Sequence, residues 1–336
     1  MSSRGRFVKQ QGLSVVEVMV AMLLSLILIG GVIQVFATNR VVARTQSESA
    51  RVQENGRIAL DILTDEIRMA GFQGCTNLDQ VVPNSIVSPA GSVNFTSDNA
   101  INGYEYSGGS WTPALTTPPA NVVDGTDLVE IRAASCTAYL TGQMSTDNAN
   151  IQIGVNNTCD FQAGDIVVIS DCQSADIFKA TSVSEGGAIT TIAHANSTNT
   201  TNRLTKPYGT DATVSKYEVV QFYVRENAYG IPALYEARGV DGSTVTELVE
   251  GVEDMQATYG EDTNNDGTAD AYQEAANVAN WSNVVSARLT LLLQSAEDEV
   301  TSTKQTYTFN GTTTTATDNR LRQEMGSTVL LRNRVN

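Results

Sequence analysis

Glu17 is the single charged side chain in the 25 residues from Leu13 to Ala37, a stretch otherwise dominated by Leu, Ile, Val, Met and Ala. A carboxylate inside an apolar span costs roughly 2.5–3.5 kcal/mol on insertion scales and is normally paired with a cation. If the chain is cut between Gly12 and Leu13, the new α-amine lies four residues from Glu17, and the amine of one subunit can reach the carboxylate of a neighbour. The plain alternative is a glutamate resting among headgroups at the membrane surface. A second pattern, D-x-N-x-D-G-x-x-D, runs through Asp262, Asn264, Asp266, Gly267 and Asp270. Its side chains and the Thr268 carbonyl have the oxygen spacing of a calcium loop. The twelfth position, however, is Gln273 where such loops carry a bidentate Glu. Asp, Asn and Gly are also the best turn formers, so an acidic hairpin turn weighs equally against Ca2+.

Around Glu17 the elements are plain. Residues 1–12 carry Arg4, Arg6 and Lys9 and no acidic residue. The apolar run after Gly12 is long enough to cross the ~30 Å hydrocarbon core as a helix. Basic residues ahead of the span put the N-terminus in the cytoplasm and the body on the far side of the inner membrane. A secretory signal peptide would end in a polar cleavage region. Here the apolar stretch passes directly into TNRVVARTQSESARVQENGRIALDILTDEIRMA, where Val52, Ala59, Leu63 and Ile67 recur at helical spacing. One continuous helix over 13–70 is expected, spanning the membrane at 13–37, with Gly30, Gly31 and Gly56 as weak points.

Beyond Gly71 the chain changes to short β-branched runs separated by turn residues. DIVVIS (165–170), KYEVVQFYVRE (216–226), IPALYEA (231–237) and NVVSARLTLLLQS (283–295) read as strands. ENAYG at 226–230 is expected to close a hairpin, and the last strand, apolar on both faces, to be central. Segments 76–125 and 195–213 read as loops. The fold class is α+β, a long N-terminal helix packed on an antiparallel β-sheet with an additional loop-rich β subdomain. The expected divisions are a leader at 1–12, the helix at 13–70, a loop-rich β subdomain at 71–215 and a sheet region at 216–336.

Cys75, Cys136, Cys159 and Cys172 lie on the exported side, where disulfides persist. Of three pairings, Cys159–Cys172 is preferred, because a strand returning along its partner would join them, leaving Cys75–Cys136. No C-x-x-C is present, which disfavours redox catalysis. His194 is the one histidine, so metal hydrolases lose their ligands. A satisfied or exposed imidazole outweighs a catalytic base. G-x-S-x-G, Walker and H-E-x-x-H patterns are missing, and adjacent carboxylates such as Glu253 and Asp254 read as solvated surface. An enzyme is not expected, and no cofactor is required. With 37 acidic against 21 basic residues and a net charge of −16, the body repels phosphate backbones, which excludes nucleic acid as its partner.

The basic leader, Gly12 and LSVVEVMVAMLLSLILIGG together resemble the class III signal of type IV pilins and pseudopilins. GFQGC (71–75), AGDIVVISDCQSADIF (163–178), LVEGVEDMQATYGEDTNNDGTADAY from 248, WSNVVSARLTLLLQS from 281 and the terminal STVLLRNRVN are similar to the PilW family of minor pilins. That resemblance implies cleavage after Gly12 and N-methylation of Leu13 by a prepilin peptidase. Leu13 stands where Phe is more usual. It further implies retention of the helix as a membrane anchor, then extraction into a filament of major pilin. The implied partners are PilV, PilX and FimU-like minor pilins beneath a PilY-type tip protein, in a complex that primes assembly. Two other classes remain beside it: a J-like pseudopilin of type II secretion, and a tip adhesion module whose Thr/Asn-rich loops carry the contacts.

Overall fold

A computed structural model describes Gly12 and residues 14–334. The helix Val15–Arg68 runs for 54 residues without a break, through Gly30, Gly31 and Gly56 alike. Ser14 enters it in extended conformation, and Gly71, at φ +75, lies just beyond its end. Its two halves differ in environment. Every side chain from Ser14 to Arg44 is exposed. From Glu48 onward a stripe of Val52, Gly56, Ala59, Leu60, Leu63 and Ile67 is buried, at the three- and four-residue steps that bring one helix face onto a core.

That core lies between the helix and two sheets. The smaller has four strands. Val284–Gln294 is central, flanked by antiparallel Val252–Glu261 and Arg322–Leu330, with the short Ala271–Gln273 beyond Val252–Glu261. The helix packs on Arg322–Leu330 and Val284–Gln294 and touches Thr244–Glu250. Leu289, Leu291 and Leu293 meet Leu63 and Ile67 in one cluster with Val129, Ile131, Phe222 and Leu234 of the larger sheet.

The larger sheet has nine strands, built around Thr213–Glu226. This strand pairs with Asp127–Tyr139 on one side and Pro232–Arg238 on the other, while its first residues pair with Ile166–Ser170. It runs through residue 215, where the sequence reading divides the body, so backbone hydrogen bonds continue across that position. The hairpin expected at 226–230 closes over 227–231, with the Asn227 N–H donating to the Ile231 carbonyl at 2.9 Å. Segment 76–125 is not simply loop. Ile101–Ser107 adds to Asp127–Tyr139, and Leu78, Val87, Val93 and Phe95 are buried. Its Asn, Gly and Glu residues hide the alternation that would have marked a strand. A second core, with Ile151, Ile153, Phe161, Phe178, Ile192 and Tyr208, fills the space beside the strands Ile166–Ser170 and Ala175–Lys179.

The cysteines pair as Cys75–Cys172 and Cys136–Cys159, correcting the preference for Cys159–Cys172. Strand Ile166–Ser170 separates those two residues, with Cys172 in the turn after it and Cys159 on the approach to it. Five extended residues span about 17 Å, beyond disulfide reach. The pairing follows the sheet register instead. Gly74 abuts Ser170 and Thr213 and brings Cys75 to Cys172. Lys216 lies opposite both Ser135 and Val167 and bonds the Asp160 carbonyl, which brings Cys136 to Cys159.

Candidate functional site

The surface most open to function is the exposed half of the helix. A run of apolar side chains from Val15 to Val42 meets nothing of its own body; it is the one helix among the described residues that is long and apolar enough to cross a membrane. Glu17 lies in the first turn, exposed, with no hydrogen bond or ion pair among the described residues. Gly12 is also exposed. Leu13, and with it the expected cleavage bond and methylated amine, lies outside the described residues, as do Arg4, Arg6 and Lys9.

The free half ends where polar contacts begin. Arg44 Nη2 reaches Glu297 Oε2 at 2.8 Å and the Asp298 carbonyl at 3.1 Å, and Thr45 Oγ1 donates to the Val300 carbonyl at 2.9 Å. One turn later Glu48 is buried and takes Arg51 at 3.2 Å. Asn55 Nδ2 donates to the Glu250 carbonyl at 3.0 Å. Near the far end, Arg238 Nη2 meets Glu66 Oε1 at 2.8 Å while its other nitrogens hold Glu218 and Glu236, both at 2.6 Å. Burial would lower the Arg238 pKa, but these three carboxylates outweigh it and raise it. The docked half is thus held by polar contacts at both ends and apolar packing between them, which leaves the apolar half projecting from the body.

The acids of the D-x-N-x-D-G loop bond to the loop's own amides and hydroxyls, with Asp262 buried and Asp266 and Asp270 exposed. Asp262 Oδ1 accepts the N–H groups of Asn265 at 2.6 Å and Asp266 at 3.2 Å, and Oδ2 accepts that of Gly267 at 2.7 Å. Asp270 Oδ2 takes the Thr263 amide and hydroxyl at 2.8 and 2.6 Å. Asp266 Oδ1 takes the Thr268 amide at 2.9 Å and its hydroxyl. The Asn264 amide nitrogen stands 3.2 Å from both Asp266 Oδ2 and Asp270 Oδ1, between the two carboxylates. These local bonds hold the Asp266 and Asp270 carboxyls below their ordinary range, the Thr268 and Thr263 hydroxyls leading. Among the described residues no group of three acidic, His or Cys side chains is disposed to hold a metal ion.

His194 is 2% exposed, packs against Phe178 and places Nε2 at 3.0 Å from the Ala149 carbonyl. It lies buried beside the core residue Phe178. Glu253 and Asp254, expected as solvated surface, are half-buried. Arg322, itself 7% exposed, reaches Glu253 Oε2 at 2.6 Å, and burial pushes the Asp254 carboxyl up to about 6. Sequence reasoning also missed Asp176. This residue is fully buried and accepts from Asn84, the Thr205 amide and hydroxyl, and Tyr208 at 2.7–2.9 Å. Its signal was an acid inside the apolar strand ADIFK.

A long N-terminal helix, apolar and free in one half and docked by the other on an antiparallel sheet, defines an α+β protein of pilin-like architecture. The family model of PilW, type IV pilus-assembly protein W, matches residues 221–333 and supports assigning the chain to the PilW family, a component of type IV pilus assembly. The matched stretch contains Thr244–Glu250, Val284–Gln294 and Arg322–Leu330, the strands against which the helix makes most of its contacts. No curated protein and no solved structure matches the chain.

Proposed function

We propose that the chain is a minor pilin that primes type IV pilus assembly from the inner membrane and ends at the filament tip. In this reading the prepilin peptidase cuts after Gly12 and methylates Leu13, and the apolar half of the helix holds the chain in the membrane with its body in the periplasm. The same half then packs among neighbouring pilin helices, where Glu17 pairs with an α-amine of another subunit. The body joins PilV, PilX and FimU-like minor pilins beneath a PilY-type protein. The observation that carries the reading is the contrast along one helix, apolar through Ala37 and exposed through Arg44, with a buried stripe from Glu48 onward. A fold that needed the helix only for its own core would leave no such length bare, since apolar surface of that extent marks a membrane or partner contact.

The test is deletion of the gene, complemented by wild type or Glu17→Ala, with surface pili counted and type II substrates assayed in the same cultures. Lost pili with normal secretion, and poor rescue by Glu17→Ala despite normal membrane insertion, are expected. Normal pili with blocked secretion would transfer the role to a J-like pseudopilin.

A further inference from the structure

The outward face of the large sheet, turned away from the helix, carries a polar network that helix docking does not use. Glu130 on Asp127–Tyr139 lies directly opposite Gln221 on Thr213–Glu226, and both side chains are 4% exposed. Gln221 Nε2 donates to Glu130 Oε2 at 2.7 Å, and Arg132 Nη2 meets Glu130 Oε1 at 2.6 Å. The Tyr104 hydroxyl stands 3.5 Å from the same oxygen. Burial, with the Glu130 charge, pushes this phenol up to about 12, so it stays a donor. Arg132 is held in turn by the Asn99 carbonyl at 2.7 Å and Asn102 Oδ1 at 2.9 Å.

Loops around Asn94, Thr116 and Gly242 surround this floor, the Thr117 carbonyl taking a further N–H of Gln221 at 3.2 Å, and leave a hollow of about 230 Å³ beside it. Past Val93, Tyr217 and Val240, which line both spaces, it opens into a second hollow of about 580 Å³ bordered by Ser88, Lys179 and Asp241. The network floors this cleft with its groups already fixed, which is what a binding site needs.

The chemistry of the floor selects the ligand. Glu130 and Arg132 neutralise each other, so neither an anion nor a cation finds a free counter-charge there. An apolar ligand would strip water from carboxylate, guanidinium and amide without replacing it. Hydroxyl groups, each a donor and an acceptor, suit the spare lone pairs of Glu130 and Gln221 and the remaining N–H groups of Arg132, the Gln221 amide hydrogens being taken by Glu130 and the Thr117 carbonyl. We propose that this cleft binds a neutral oligosaccharide, with one sugar on the Glu130–Arg132–Gln221 floor and the chain continuing past Tyr217.

Full-length protein in micelles of a detergent without a sugar headgroup, titrated with glucose, galactose, N-acetylglucosamine, rhamnose and lactose under saturation-transfer NMR, tests the proposal. Transfer to at least one saccharide is expected. Gln221→Leu should weaken it about tenfold or more. Thr116→Trp, an exposed rim change that closes the mouth without touching the floor, should do the same with an unchanged Tm, and it decides the matter if Gln221→Leu unfolds. Arg203→Ala, on a distant surface, should leave binding intact. No transfer from any of the five sugars, binding that survives Thr116→Trp, or capture only of a peptide would overturn the proposal.

Discussion

Gly56 and Leu293 mark a close approach of helix to sheet: a Cβ placed on Gly56 would lie 2.1 Å from Leu293 Cδ1 and 2.5 Å from Met325 Sδ. Both obstructing atoms are ends of flexible side chains, so alanine can be admitted by rotamer shifts, and its gain in helix propensity offsets part of the strain. A branched side chain cannot be. Gly56→Val should cost about 1–3 kcal/mol through overpacking and lower Tm by several degrees. Gly30→Ala, at a position with nothing within 4 Å, should leave Tm unchanged. Thermal melts of the three variants beside wild type check the order; equal Tm for Gly56→Val and wild type would mean the helix sits farther from the sheet.

Peptide mapping without reduction should recover Cys75 joined to Cys172 and Cys136 joined to Cys159. The first bridge spans 97 residues and the second 23. Loop-closure entropy then makes removal of the first pair, by Cys75→Ala with Cys172→Ala, about 1 kcal/mol more costly than removal of the second. Denaturant midpoints of the two double variants measure the difference. A Cys159–Cys172 peptide would contradict the sheet register described above.

The helix was legible because its signals are local. An unbroken apolar run and the spacing of Val52, Ala59, Leu63 and Ile67 each need only neighbours in sequence. The same holds for the strands around KYEVVQFYVRE, IPALYEA and NVVSARLTLLLQS, whose apolar and aromatic residues are dense. What was not legible depends on distant partners. Gly56 reads as a weak point until Leu293 is laid across it. Cysteine pairing follows from which strands flank Thr213–Glu226, and nothing in the spacing of four cysteines encodes that order. Glu130 and Gln221 are 91 residues apart and become a site only through strand register.

Asp262 anchors its loop through three backbone amides. Asp262→Ala leaves these donors without an acceptor, at a cost of about 1–3 kcal/mol if they stay shielded from water. The expected Tm loss is the same in EDTA and in millimolar Ca2+, and wild-type Tm should be equal in the two buffers. A calcium-dependent rise in wild type that disappears in Asp266→Asn would instead assign the loop to the cation, with Asn264 turned out of the space between Asp266 and Asp270.

Asp127 links the two sheets, its Oδ2 accepting the Ala257 N–H at 2.8 Å. Burial is the largest influence on this carboxyl; against the Ala257 bond, and with Glu105, Asp254 and Glu274 adding repulsion, it is pushed from 3.8 up to about 7. Asp254 is raised to about 6, again mainly by burial. A carboxyl whose folded pKa is raised keeps a proton that the unfolded chain has already released. Between about pH 4 and pH 7 the folded state therefore binds more protons, and stability falls as pH rises through that window. The Tm of the full chain in detergent should be higher near pH 5 than near pH 8. Asp127→Asn retains an oxygen for the Ala257 amide and removes the charge, so it should raise Tm near pH 8 by a few degrees and flatten the decline. A wild-type Tm that climbs from pH 5 to pH 8 would show that Asp127 is ionised across the window and that its amide bond outweighs its burial.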